Sequence, residues 1–449
     1  MNRFLLLISF FFAPLCLLSQ DTSFHSQLEG YWTGSFIRNG NSTQSFSLDI
    51  HPLGDSLEAT FKIPDWVYYR PINSTLKVKG KTIRFESYYG EVKVVWDSLY
   101  AEMVGECNFA QVHIKRALRP PRREIEYIDR EVNLGDITTN AQITKPVGDG
   151  PWPTIIIVHG RGCGSKDDWD ERPEVLSQYG LAVVTFNKRG QANTDFPCGE
   201  TTMDLHAQDL AMLTDQIGKL NYTESIGYLA YSAGGWVAPK AASQTETAVD
   251  FIVSVVGPST SVRQQQIDCS VYYLRDQLGL KDQAIEEALA YTELSFSKGD
   301  PNEIYSSMAS LLDSARAHNW ITVLEKDDIP VSADKLDEIW VRRNDYDPSQ
   351  DLKAFEGPFL SILGGDDFVV PYRENASYFK SLFEEVGKTN YRIAVLPSAN
   401  HGMEHGHRMR DLGYNRDAGK WYSYFKYDRV AAGAFDEIIA FLRKHQFIE

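Results

Sequence analysis

The sequence contains no long run of lysine or arginine, and its acidic residues outnumber its basic ones. It has 61 Asp and Glu residues against 45 Lys and Arg, for a formal net charge of -16 at pH 7. A protein that binds nucleic acid normally presents a basic surface to the phosphate backbone. The composition therefore argues against nucleic acid as a partner.

Long apolar runs are missing too, apart from one at the N-terminus. The run Phe4–Leu18 follows Arg3, is interrupted by Pro14 and is shorter than the ~20 residues of a spanning helix. These features are typical of a cleaved secretory signal, so we expect residues 1–20 to be a signal peptide. We therefore expect an exported protein, periplasmic or extracellular, that does not stay in the membrane after cleavage.

Cysteine is scarce. The chain has five cysteines, and loss of the signal peptide would leave Cys107, Cys163, Cys198 and Cys269, which allow three complete pairings. Cys163 and Cys198 each follow a predicted strand at what should be the same edge of one sheet. One hypothesis is a bridge between these two, and the other is that all four are free thiols.

Helical periodicity is absent between residues 21 and 118. Short β-rich runs are instead separated by turn signals such as Asn39-Gly40-Asn41 and Lys79-Gly80-Lys81. The runs are Tyr31–Gly34, Phe46–Ile50, Leu57–Ile63, Leu76–Val78, Thr82–Phe85, Val92–Trp96 and Val112–Ile114. They predict a small all-β domain, either a barrel or a sandwich, with its aromatic residues in the core.

The pattern changes after the proline- and arginine-rich stretch Arg116–Arg123, which we interpret as a boundary. Ile125–Val132 and Asp136–Thr144 are predicted to pair antiparallel. Near-continuous apolar runs follow, of the kind buried on both faces of a parallel sheet, with helical stretches between most of them. These runs are Thr154–Val158, Leu181–Phe186, Ile226–Tyr231, Phe251–Val256, Phe359–Leu363 and Arg392–Leu396. Residues 119–449 are therefore predicted to form an α/β domain.

A long, mostly helical segment separates the strand ending at Val256 from the one beginning at Phe359. We predict helices over Val271–Leu280, Ala284–Phe296 and Ile304–Trp320. A helical cap over about residues 258–350 would cover the edge of the sheet and supply a substrate pocket.

Ser232 stands where the strand Ile226–Tyr231 turns abruptly into a helical segment. Its neighbours Ala230, Ala233 and Gly234 are small, as a tight strand-to-helix turn requires. This arrangement is typical of a nucleophile elbow. A serine nucleophile also needs a base to take its proton, a carboxylate to orient the base, and donors for the developing oxyanion.

Donors for an oxyanion are expected in the glycine-rich segment His159-Gly160-Arg161-Gly162, which follows a predicted strand. The backbone N–H of Arg161 would be one donor, and that of Ala233 the other. The alternative is a turn that needs glycine for its conformation alone.

The acid and the base follow the last two predicted strands. Asp367 lies in the loop after Phe359–Leu363 and is favoured over its neighbour Asp366, while His401 follows the final strand. The order Ser232, Asp367, His401 along the chain is that of α/β-hydrolases.

A metal site made from His401, Glu404, His405 and His407 is the competing interpretation of the same region. Their spacing does not match the familiar zinc helix pattern, and a metal would leave the serine and the aspartate unexplained. We therefore expect no metal.

From about Ile125 to Glu449 the chain resembles the α/β-hydrolase superfamily, and within it the secreted two-domain bacterial carboxylesterases, which carry a small β-rich domain before the hydrolase core. Besides the elements above, the resemblance rests on Asp209-Leu210, Ser232–Pro239, Tyr346-Asp347-Pro348 and Asp428-Arg429-Val430. The chain departs from the family pattern in Ala230, which replaces a glycine, in the pair Arg161 and Cys163, and in Asn187, which replaces an aspartate.

The resemblance implies a secreted serine esterase that cleaves small-molecule carboxylic esters through an acyl-enzyme. Ser232, Asp367 and His401 would be catalytic, Arg161 and Ala233 would form the oxyanion hole, and no cofactor would be needed. A serine peptidase related to the prolyl oligopeptidases is an alternative, but about 100 N-terminal residues are too few for its propeller. A thioesterase and a non-enzymatic binding protein are further alternatives.

Overall fold

The computed structural model describes residues 22–38, 41–63, 70–99, 101–108, 110–117, 123–169, 171–191, 196–397, 399–403 and 434–449. These residues form two compact units, one within Met1–Pro64 and Pro71–Pro120 and the other within Asp65–Arg70 and Pro121–Glu449. The expected signal peptide lies outside the described residues.

The N-terminal unit is a short helix, α1 (Thr22–Leu28), followed by one antiparallel sheet. Nine strands pair in the order β4-β3-β2-β1-β9-β8-β7-β6-β5. They are β1 (Gly30–Arg38), β2 (Asn41–Leu53), β3 (Ser56–Lys62), β4 (Ile72–Thr75), β5 (Lys77–Lys79), β6 (Thr82–Ser87), β7 (Gly90–Asp97), β8 (Glu102–Cys107) and β9 (Ala110–Arg116). The sequence analysis missed β4, which is short and polar, and β8, in which Met103 is the one fully buried residue. The strand predicted over Leu76–Val78 corresponds to β5, which begins one residue later.

Aromatic side chains fill the core of this unit. Phe36, Phe46 and Phe61 are buried and lie in mutual ring contact. The ring of Phe61 on β3 also lies 6.3 Å from that of Phe85 on β6, although these strands are near opposite ends of the hydrogen-bonded order. The sheet therefore curls around one core, which favours the barrel over the sandwich and confirms the expected place of the aromatic residues.

The second unit contains an eight-stranded sheet in the order β10-β11-β13-β12-β14-β15-β16-β17. Its strands are β10 (Ile125–Asn133), β11 (Thr138–Pro146), β12 (Trp152–Val158), β13 (Ala182–Phe186), β14 (Thr223–Tyr231), β15 (Phe251–Val255), β16 (Phe359–Gly364) and β17 (Tyr391–Leu396). The first two strands pair antiparallel, as does β11 with β13, and the other pairs are parallel. The predicted α/β fold is confirmed.

Helices cover both faces of this sheet because side chains alternate along each buried strand. On β12, Ile155 and Ile157 face one cluster of apolar residues, whereas Ile156 and Val158 face the other. The first cluster includes residues of α2 (Arg172–Gln178) and α11 (Ala434–Lys444). The second includes residues of α3 (Met203–Ile217), α4 (Gly234–Ala242) and α10 (Tyr372–Glu385).

The segment between β15 and β16 is mostly helical, as predicted. It contains α5 (Val262–Val271), a π-helix (Tyr272–Gln277), α6 (Asp282–Phe296), α7 (Pro301–Ala317), α8 (Trp340–Arg343), α9 (Ser349–Ala354) and short 3-10 turns. The helix predicted over Val271–Leu280 was wrong in its bounds, because α5 ends where that prediction began. Within the described ranges, no helix is long and apolar enough to cross a membrane.

Candidate active site

Ser232 occupies the turn between β14 and α4 in a strained backbone conformation. Its φ is +52°, in the left-handed region that residues other than glycine rarely adopt. Its N–H donates to the carbonyl oxygen of Val255 at 3.0 Å, and its carbonyl oxygen accepts the N–H of Gly235 at 2.8 Å. These bonds fix the turn at the carboxyl end of the sheet.

Close backbone packing explains the glycines around Ser232. A Cβ atom on Gly234 would lie 2.9 Å from the carbonyl oxygens of Val158 and His159, and one on Gly160 would lie 3.1 Å from the Cβ of Ser232. Larger residues at these positions would push the serine turn and the loop after β12 apart. The glycines therefore let the two segments meet.

His401 joins Ser232 to Asp367 in one hydrogen-bonded chain. His401 Nε2 lies 2.9 Å from Ser232 Oγ, and His401 Nδ1 lies 2.9 Å from Asp367 Oδ2. The three residues follow β14, β16 and β17, so the parallel strands deliver them to the same edge of the sheet. An Nδ1–H donated to the carboxylate leaves Nε2 free to accept the serine proton.

Asp367, and not Asp366, is the carboxylate beside His401. Asp367 is 1% exposed, and its Oδ1 accepts the N–H groups of Val369 and Val370 at 2.8 and 3.0 Å. Asp366 instead accepts a long hydrogen bond, 3.4 Å, from Gln277 Nε2. The backbone donors hold Asp367 in place beside His401.

The two expected oxyanion donors, the backbone N–H groups of Arg161 and Ala233, lie in the loop after β12 and in the turn after β14. Among the residues that the structure describes, neither the N–H of Arg161 nor that of Ala233 donates a hydrogen bond within the chain. Ala233 also precedes the first residue of α4, where free amides and the helix dipole favour negative charge. Both amides are therefore available to an anionic oxygen.

His159 has a structural role in this loop. It is buried, its Nε2 donates to the carbonyl oxygen of Phe186 at 2.9 Å, and its ring lies 4.7 Å from that of Trp169. Burial lowers the pKa of His159 to about 4, against the raising effect of that hydrogen bond. His159 is therefore neutral near pH 7 and remains part of the scaffold.

Lys188 is a residue of this region that the sequence analysis did not single out. Its side chain is buried, and its Nζ donates to the carbonyl oxygens of Gly160 at 2.9 Å and Gly162 at 2.7 Å. The sequence signal was present, since Lys188 lies in the segment Asn187–Gly190 that was noted only for its first residue.

The side chain of Arg161 points to the cap rather than to the serine. Its guanidinium group pairs with Asp327 and, at 3.0 Å, with buried Asp328, and it lies 4.2 Å from the ring centroid of Trp340. The loop after β12 is thereby tied to the segment between β15 and β16. This contact was not predicted from the sequence.

A disulfide joins Cys163 to Cys198, with 5.2 Å between their Cα atoms. This confirms the bridge hypothesis over the alternative of four free thiols. Cys163 follows Gly162, so the bridge fixes the same loop that Lys188 contacts. Cys269 is buried and unbridged.

The competing metal interpretation cannot be placed, since Glu404, His405 and His407 lie outside the described residues, as does the motif Asp428-Arg429-Val430. Within the described ranges, no group of three or more His, Cys, Asp or Glu residues is arranged to hold a metal ion. His401 is engaged by Ser232 and Asp367.

The chain is similar in sequence to several known proteins. The chain is 24% identical to esterase EstD of Thermotoga maritima, over 76% of this chain and 75% of that protein. It is 23% identical to a non-heme chloroperoxidase of Streptomyces lividans, over 60% of this chain and 94% of that protein. A solved esterase from Pyrococcus furiosus is 15% identical with a TM-score of 0.40, over 72% of this chain and 97% of that one. The family model described as alpha/beta hydrolase fold matches residues 153–401, more than half of the sequence, so the chain belongs to the α/β-hydrolase family.

Proposed function

We propose that this protein is a serine hydrolase that cleaves carboxylic esters through an acyl-enzyme. The observation that carries the proposal is the hydrogen-bonded chain from Ser232 Oγ through His401 to Asp367, with 2.9 Å at each step. A nucleophile, a base and an orienting acid in this order are the parts that acyl transfer requires.

In the proposed reaction, Ser232 Oγ attacks the ester carbonyl carbon while His401 Nε2 takes the serine proton. The tetrahedral intermediate collapses when the bond from carbon to the alkoxy oxygen breaks, and His401 delivers the proton to the departing alcohol. Water then attacks the acyl-enzyme with the same base and releases the carboxylic acid and Ser232. Asp367 keeps His401 in the required tautomer throughout.

The negative oxygen of each tetrahedral intermediate would be held by the N–H groups of Arg161 and Ala233. Loss of one such donor typically lowers the rate by ~100- to 1000-fold. Support comes from the two amides, which have no acceptor in the part of the chain that the structure describes, and from the packing of Gly160 against Ser232.

An ester substrate is favoured over a peptide by two observations. The relative from Thermotoga maritima is named an esterase. The N-terminal unit is one nine-stranded sheet, whereas the propeller of a prolyl oligopeptidase needs several four-stranded blades.

We also propose that the protein is exported. The disulfide between Cys163 and Cys198 supports an oxidising compartment, because such bridges are rare in the reducing cytosol. The apolar run after Arg3 supports the same conclusion.

The test is hydrolysis of p-nitrophenyl esters from acetate to decanoate by the wild type and by Ser232→Ala, with a prolyl p-nitroanilide and a thioester in parallel. Removing a triad serine should lower kcat on the order of a millionfold. Ser243→Ala is the matched control, since Ser243 is an exposed serine at the far end of α4, and should retain activity.

Ester turnover that disappears in Ser232→Ala but not in Ser243→Ala would support the proposal. Serine-dependent turnover of the anilide alone would change the proposed substrate from an ester to a peptide, and turnover of the thioester alone would change it to a thioester. Ester turnover that survives in Ser232→Ala would contradict the assignment of the nucleophile.

A further inference from the structure

The loop after β12 is bound to the loop after β13 through one buried lysine. The backbone N–H of Lys188 donates to the carbonyl oxygen of Gly164 at 2.8 Å. Its ammonium group donates to the carbonyl oxygens of Gly160 and Gly162. Lys188 thus contacts three alternate carbonyls of the segment that contains Arg161.

This arrangement sets the direction of the Arg161 N–H. In a trans peptide the C=O and N–H groups point in opposite directions, and the only cis peptide bond among the described residues is Gly150-Pro151. A carbonyl of Gly160 that points at Lys188 therefore directs the N–H of Arg161 to the other side of the loop. That N–H has no acceptor among the described residues.

Lys188 lies in a buried position, which destabilises the charged form of its side chain. Lys188 is 4% exposed, and burial lowers its pKa to about 8, with Asp209 acting in the opposite direction. Both carboxylate oxygens of Asp209 already accept hydrogen bonds from Arg189. The side chains of His159 and His206 are also near Lys188. Burial lowers the pKa of both histidines, and the charge of Lys188 lowers it further. Lys188 has no ion-pair partner among the residues that the structure describes, and a buried cation of this kind is costly. Its two carbonyl contacts account for its presence.

We propose that Lys188 is the positioning residue of the oxyanion hole, because it holds the Gly160 and Gly162 carbonyls and so presents the Arg161 N–H to the oxygen that becomes negative on an ester at Ser232. The inference rests on the proposed function. Lys188 acts through the backbone and touches neither the substrate nor Ser232.

The test compares Lys188→Met with a matched control, Lys388→Met. Methionine keeps an unbranched side chain of similar shape, one heavy atom shorter than lysine, and removes the donors. Lys388 Nζ also donates to two backbone carbonyls, those of Phe355 at 2.7 Å and Gly357 at 2.6 Å, and burial lowers its pKa to about 8 as well. These residues precede β16 and β17, at the end of the sheet opposite Ser232.

Two readouts separate positioning from general structural support. The first is kcat and KM for p-nitrophenyl acetate. The second is the inhibition constant of a trifluoromethyl ketone, which forms a tetrahedral oxyanion with the serine. We expect Lys188→Met to lower kcat by about 10- to 100-fold and to raise the inhibition constant of the ketone by a similar factor. KM should stay within about twofold of wild type. Lys388→Met should leave all three within about twofold.

If Lys188→Met does not fold, Lys188→Gln, which keeps one donor on a shorter side chain, is measured in the same way and should show an intermediate loss. A Lys188 variant whose kcat matches that of Lys388→Met, or whose KM rises as much as its ketone affinity falls, would overturn the inference. The wild type is assayed first against Ser232→Ala, and an absence of Ser232-dependent turnover there would overturn the proposed function and the inference with it. Normal wild-type turnover that Lys188→Met retains would overturn the inference alone.

Discussion

At the scale of single residues, Ser232 has a strained backbone conformation and carries the hydroxyl group that is the proposed nucleophile. A residue with a Cβ atom at a φ of +52° typically costs on the order of 1–3 kcal/mol. The turn keeps this conformation because Val255 and Gly235 bond its peptide groups on either side. The strain at Ser232 therefore lowers the free energy of unfolding of the protein.

We expect Ser232→Gly to be more stable than Ser232→Ala, although both lack the nucleophile. Glycine adopts a positive φ without strain, so the free energy of unfolding should rise by about 1 kcal/mol relative to the alanine variant. Urea denaturation of the two variants measures the difference. Equal midpoints would show that the turn is not strained.

Variants of Asp367 and its neighbour Asp366 test which of the two carboxylates orients His401. Asp367→Asn should lower kcat by about ten-thousandfold, because the amide can hold His401 in the wrong tautomer. Asp366→Asn should leave kcat within a few fold, since that side chain contacts Gln277. Steady-state kinetics on p-nitrophenyl acetate checks both, and a larger loss in Asp366→Asn would reverse the assignment.

Lys188 should make the stability of the protein depend on pH in the alkaline range. Burial lowers its pKa from 10.5 to about 8, so between these values the unfolded chain binds a proton that the folded protein does not. The free energy of unfolding of the wild type, relative to Lys188→Met, should therefore rise with pH across this range, by up to about 3 kcal/mol. Lys388 is present in both proteins and its contribution cancels.

Urea denaturation of the two proteins between pH 7 and 10.5 provides the measurement. A difference in unfolding free energy that stays constant with pH would show that Lys188 keeps an ordinary pKa, and one that falls with pH would show that its pKa is raised.

At the scale of elements, the loop after β12 is restrained from several directions. Lys188 holds its carbonyls, Arg161 ties it to Asp328, and the disulfide binds Cys163 to the 3-10 turn Cys198–Glu200. A loop that must present an N–H to a reacting oxygen gains from such restraint, because less reorganisation is then required in the transition state.

Removal of the disulfide should lower both stability and turnover. For a sequence separation of 35 residues, the chain-entropy model gives about 4 kcal/mol. We expect Cys163→Ser with Cys198→Ser to lower the thermal midpoint, and to lower kcat more than KM changes. Cys107→Ser, on β8 outside this bridge, is the control. A double variant as stable as that control would show that the bridge is not formed.

The parallel strands could be predicted because each is a short apolar run buried on both faces. Strands β4 and β8 could not, because their sequences lack this pattern and they are defined by pairing with neighbours. The start of this helical region was also predicted wrongly, since α5 begins at Val262 and continues with the polar residues Arg263 to Gln266. Local sequence carries little information where tertiary contacts decide the structure.

At the scale of the whole molecule, the position of Ser232, His401 and Asp367 in one hydrogen-bonded chain followed from the fold. Residues at the carboxyl ends of parallel strands meet at one edge of the sheet, so the order of motifs predicted their proximity. The contacts of Lys188 and Arg161 side chains could not be anticipated in this way. They join segments far apart in sequence, and their partners are backbone carbonyls or residues between β15 and β16.

Covalent labelling with a fluorophosphonate, read by mass spectrometry of the digested protein, tests the central claim most directly. We predict one adduct, on the peptide that contains Ser232, with none in Ser232→Ala and a much slower reaction in His401→Ala. An unlabelled wild type, or an adduct on a different serine, would contradict the proposal that Ser232 is the nucleophile of a serine hydrolase.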